Sequence, residues 1–177
     1  RATYDESVDY ICDEFRLATQ GIYSADEQSV NYYQRPTKGA AMALIARLRL
    51  FQASPLFNGG AAARKCFGTW KRKSDGAYYV NQEYNPRRWA VPAAAAKQLT
   101  KMGYELHTVE ADAQNPYPLA SNVPTANFPD GAGNIDPYHS YSDMFTGEGI
   151  IQTNKEFIWA MESSNVTNYT HHSFPVK

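Results

Sequence analysis

The stretch from Lys38 to Ala53 constrains the fold of this chain more than any other part of it. It is apolar on nearly every helical face, with Ala40, Ala41, Met42, Leu44, Ile45, Leu48, Leu50 and Phe51 distributed around the axis. A helix of that kind is stable only when buried between neighbours, so the chain must supply other helices to pack on it. Its alanines let helix backbones approach closely. Thr37 is placed to cap its start. Ser54-Pro55 ends it, because Pro55 disfavours helical geometry in the residue before it.

The rest of the composition agrees with packed helices joined by tyrosine-rich loops. Leu, Ile, Val and Phe together make only 31 of 177 residues, and the missing apolar mass comes from 23 Ala, 13 Tyr and 3 Trp. The length suits one ordinary domain. A net charge of −1 gives no electrostatic reason for nucleic-acid binding. Cys12 and Cys66 make no disulfide framework and read as two buried thiols. The longest apolar run, from Gly39 to Ala46, is far short of the roughly 20 residues that a membrane helix needs.

Tyr4, Val8, Ile11, Phe15 and Ala18 form one apolar stripe and predict a first helix over about 4–20, stopping near Gly21. Asp5, Glu6, Asp9 and Asp13 lie off that stripe and read as a solvated face. A polar connector from Ile22 to Pro36 follows, punctuated by Tyr23, Tyr32 and Tyr33. The second helix spans about 38–54, and Asn58-Gly59-Gly60 is a turn. A basic loop then places Arg64, Lys65, Lys71, Arg72 and Lys73 around Phe67 and Trp70. A third helix over about 87–102 carries Trp89, Ala93, Ala96 and Leu99. Pro92 is tolerable there only within the first turn. Residues 64–101 sum to +7 and residues 104–177 to −7. A proline-rich loop fills about 107–150, and 156–161 reads as a short buried strand. The expected fold is mainly α: tetratricopeptide-like helical repeats with long irregular loops and a short strand near the C-terminal end.

Three phrases, in this order, resemble the SusD/RagB family. RPTKGAAMALIARLRLFQASPLFN, from Arg35 to Asn58, looks like the family's signature helix. Trp89 with its alanine-rich helix and GYEL at 103–106 resembles the next one. YSDMF at 141–145 followed by NKEFIW at 154–159 resembles the segment and strand that come after. The resemblance implies a non-enzymatic surface lipoprotein of the Bacteroidetes outer membrane. Such a protein binds glycans, occasionally peptides, as a lid on a SusC-type TonB-dependent transporter, and needs no cofactor. Complete members are several-fold longer, so this chain reads as an internal segment whose partners include the remainder of the same polypeptide. The lipid anchor would sit on the N-terminal part.

The family has no fixed ligand motif, so candidate ligand residues rest on loop chemistry. Sugar rings are met by aromatic faces edged with polar side chains. The loop from His107 to Phe145 offers Tyr117, Phe128, Tyr138 and Tyr141 with Asn122, Asn127 and Asp130. The basic loop offers Trp70 and Arg72. The plainer role for any one aromatic is to anchor its loop on the helices. The competing functions are a tetratricopeptide-like protein–protein scaffold and a glycoside hydrolase using Asp130, Asp136, Asp143 or Glu148. The histidines, His107, His139, His171 and His172, have no metal-ligand spacing.

Overall fold

The computed structural model describes residues 1–146 and 154–160. Within them the protein is mainly helical. The order is α1 (Tyr4–Ala18), α2 (Lys38–Ala53), α3 (Gly60–Phe67), α4 (Ala90–Leu99), strands β1 (Val109–Glu110) and β2 (Ile135–Asp136), and α5 (Pro137–Thr146). No helix among the described residues is long and apolar enough to cross a membrane.

α2 is the central element. α1 and α4 each pack against it and not against one another. The core joins Val8 and Cys12 of α1 to Ile45 of α2, with Tyr4, Phe15, Met42 and Leu48 around them. Thr37 caps α2 by accepting from the Ala40 N–H at 3.4 Å, and Ser54 leaves the helix in extended geometry before Pro55. α4 is preceded by a 3-10 turn, Pro86–Trp89, so Pro92 falls in the helix's first turn, where its missing N–H costs no hydrogen bond. Thr3 and Glu6 form a capping box on α1, the Glu6 carboxylate accepting from Thr3 N–H at 2.8 Å.

The acidic face of α1 is largely solvated, with Glu6, Asp9 and Asp13 exposed and Asp5 half-buried, yet each acid has a cationic partner. Arg88 grips Asp5 through two hydrogen bonds of 2.6 and 2.9 Å, and Gln52 donates to the same carboxylate. Arg49 pairs with Asp9, Arg72 with Glu6, and Arg16 with Asp13. Three of these four cations come from outside α1, so the acids add polar links to the packing of Val8 and Cys12 on Ile45. Asn58 fastens the next junction. It is fully buried, its amide donates to the carbonyls of Ala53 and Asn85, and its Oδ1 accepts from Asn85 N–H. Gly59, at φ 82°, lies so close to the Glu83 backbone that a Cβ would meet it at 2.4 Å.

Four expectations need correction. Cys66 is exposed; both cysteines are free thiols and only Cys12 is buried. Part of the basic loop is helical, as α3, and the rest is a tight hairpin held by Lys71 opposite Tyr78. The 107–150 stretch is not an unbroken loop, for it contains β1, β2 and α5. Residues 156–160 form a turn and irregular backbone rather than a strand, and the small sheet pairs Val109 with Asp136 and Glu110 with Ile135 instead. Met161, Glu148, His171 and His172 lie outside the described residues.

Candidate functional site

Asp136 builds the first candidate surface. It stands before Pro137, whose fixed φ suits the first position of a helix. Its carboxylate accepts from the His139 backbone N–H at 2.9 Å and meets His139 Nδ1 at 2.9 Å. That bond to His139 is the main reason the carboxyl is held below the usual carboxylate range. Ser140 completes the lock. Its hydroxyl donates to the Asp136 carbonyl and accepts from Val109 N–H at 2.9 Å, tying α5 to β1.

This fixed helix projects aromatic side chains. Tyr138 stacks on Tyr117 with ring centroids 5.2 Å apart and planes 8° from parallel. Tyr141 and Phe145, one turn apart, lie 5.1 Å from each other and are 71% and 70% exposed. Phe128 joins Tyr141, Phe145 and Met144 around a hollow of about 330 Å³. Its backbone N–H donates to Asn134 Oδ1 at 2.7 Å. Four of the sequence candidates, Tyr117, Phe128, Tyr138 and Tyr141, thus belong to two adjoining aromatic groups on one side of α5. Asn122, Asn127 and Asp130 are exposed on the preceding loop, where the Asn127 carbonyl accepts from Asp130 and Gly131.

Trp70 and Arg72 belong to a different place, the hairpin beside α1. Trp70 ends a row of rings running Tyr4, Phe57, Phe67, Trp70. Arg72 directs its guanidinium to Glu6, Asp75 and the Arg1 carbonyl. The guanidinium holds Asp75 down to about 2. Its donors therefore serve the hairpin's attachment to α1. Of the acids weighed for hydrolysis, Asp136 is the α5 cap. Asp143 lies seven residues further along the helix, about 10 Å by helical rise, with its Oδ2 3.7 Å from His107 Nε2. Among the described residues no group of three or more metal-ligating side chains could hold an ion.

A second concavity escaped the sequence reading. The connector over 22–36, the turn over 101–105 and the segment over 154–160 enclose a cleft of about 620 Å³. Trp159 pins two of these walls together, its indole N–H donating to the Gln34 carbonyl at 2.9 Å. Glu105 N–H donates to the Lys155 carbonyl and joins the third. Tyr33, Tyr104 and Trp159 supply ring surface; Asp26, Lys101 and Asn154 supply polar groups. The available signal was the run of tyrosines in the connector, but nothing local shows that residues so far apart in sequence meet.

No family model and no curated protein matches this chain. Solved structures do. The Bacteroides thetaiotaomicron protein BT4246 aligns over 92% of the chain with a TM-score of 0.59 and 23% identity. A selenomethionine form of BT4246 aligns over 93% with a TM-score of 0.53 and 22% identity. These alignments cover 28% and 29% of the solved chains, so this chain spans less than a third of their length. The shared property at this identity is the fold: nearly the whole chain follows the path of one segment of BT4246.

Proposed function

We propose that this chain is part of a non-catalytic, cell-surface glycan-capture protein of the SusD type. It would act at the outer membrane and hand its ligand to a SusC-type TonB-dependent transporter. The observation that carries the reading is the aromatic surface on α5, where Tyr117 and Tyr138 stack and Tyr141 and Phe145 stand largely in solvent. Aromatic surface of this extent, left open to solvent, is what a sugar ring stacks on. The signature phrases in the sequence and the fold shared with a Bacteroides protein support the same reading.

Titration calorimetry of the chain against plant and host polysaccharides and their oligosaccharides tests it. The expected result is a saturable heat that stops with each injection, since capture has no turnover. Replacing Tyr117, Phe128, Tyr138 and Tyr141 together by Ala should weaken that binding by about tenfold or more. Unchanged affinity would remove the α5 surface from the site. Heat that continues after mixing would mean catalysis.

A further inference from the structure

We propose that the cleft between the 22–36 connector, the 101–105 turn and the 154–160 segment is a second carbohydrate subsite, selective for neutral sugars. The proposal rests on the capture reading above but uses a surface that reading does not. The cleft's volume, about 620 Å³, falls in the range of small-ligand sites. Trp159 is 51% exposed although its indole N–H is already bonded to the Gln34 carbonyl. Its ring is thus held in position by the protein while much of its surface stays open, which lowers the ordering cost of stacking a ligand on it. Tyr33 adds ring surface from the connector, and Asn154 lines the facing segment with a carboxamide that already donates to Met144 Sδ and accepts from the Glu156 N–H.

Charge selects among sugars. Among the described residues, the charged side chains on the walls are Asp26, Glu105, Lys101 and Lys155. Glu105 and Lys155 pair with each other at 3.1 Å, and Asp26 and Lys101 balance in sign. A wall without an excess of cations offers little to offset the desolvation of a sulfate or uronate, whereas a neutral ring needs only the apolar face and hydrogen-bonding groups present. Phe157 lines both this cleft and the hollow beside α5. The two surfaces therefore adjoin, and one oligosaccharide engaging both would gain from the high effective concentration of its second contact.

The test is to titrate the chain with maltohexaose, xylohexaose and mannohexaose, with a heparin-derived hexasaccharide as the sulfated comparison. Heat and tryptophan fluorescence are followed together. At least one neutral hexasaccharide should bind. Trp159→Ala should weaken it about tenfold and abolish the fluorescence change. Because Trp159→Ala also unpins the cleft, a double variant at the exposed positions, Asp26→Ala with Lys101→Ala, is measured beside it and should weaken the same ligand. Measurable binding should survive Tyr138→Ala with Tyr141→Ala. If both cleft variants bind as wild type while the α5 variant loses binding, the cleft assignment is overturned and capture stands. Preference for the sulfated hexasaccharide would overturn the selectivity. Silence of the wild type towards the neutral hexasaccharides, with binding in the polysaccharide panel, would overturn the cleft and leave capture standing; silence in both would overturn both.

Discussion

Asn58 spends both ends of its side chain on backbone, joining the end of α2 to the loop before α4. Asn58→Ala would take the side-chain partner from the Asn85 N–H and the Ala53 carbonyl beside a fully buried position, while the Asn85 carbonyl keeps the Arg88 N–H. The expected loss is about 2 kcal/mol in urea unfolding, against a change within about 0.5 kcal/mol for Asn122→Ala on the exposed loop. Arg72 works at the same scale. It depresses both Asp75 and Glu6, each through a direct hydrogen bond to the guanidinium. Groups with lowered folded values add stability that is complete above the ordinary carboxylate range, near about 4, and lost as pH falls through the folded value. Stability should therefore drop between about pH 4 and pH 2, and Arg72→Ala should flatten that acid limb. Parallel acid limbs for the two proteins would show that the cluster contributes nothing.

Within α2, Gly39 is the residue that admits a neighbour. A Cβ there would lie 1.8 Å from the Tyr104 hydroxyl and 2.6 Å from its ring. Gly39→Ala should destabilise by about 1–2 kcal/mol despite alanine's better helix propensity. In a Tyr104→Ala background the same change should become stabilising by up to about 1 kcal/mol. A double-mutant cycle in denaturant measures both signs. The elements legible in the sequence were those with local chemistry. The Thr37 cap, the Ser54-Pro55 stop and the Pro92 constraint each act within one turn. α3 was missed because GAAARKCF is short, begins with glycine and buries only Ala63. α5 was missed although Asp136-Pro137 is a start signal, since its first turn is polar and sits among prolines. The apolar Phe157–Trp159 run resembles a strand, but an apolar run becomes one only beside a pairing partner, and these residues instead line the cleft and hollow.

Across the whole molecule, the readings that failed are those set by distance in sequence. Asp5 meets Arg88 and Glu6 meets Arg72, so the sign of each charge was visible and its partner was not. The candidate surface was legible in part for the same reason. Tyr117, Phe128, Tyr138 and Tyr141 were visible as aromatic loop chemistry, whereas the helix that carries Tyr138 and Tyr141, the approach of Tyr117 and the whole Trp159 cleft were not. The two thiols report on that folding. Cys12 sits in the core, where burial pushes its thiol up, and Cys66 is exposed. One thiol per chain should react with a maleimide at once, and the second only at the rate of global unfolding. Rapid labelling of both would mean that the α1–α2 contact opens far more readily than a core should.

The row α1, α2, α4 has consequences for how such a protein is put together. Its outer members touch the middle one and not each other. Tyr10 and Leu17 on α1 and Val91 on α4 still face solvent. A ring of helices is finished once its last member is in place, but a row has two free sides. Among the described residues Tyr10, Leu17 and Val91 leave apolar surface on both outer helices, so a further helix can be laid there while the α1–α2–α4 interior stays the same.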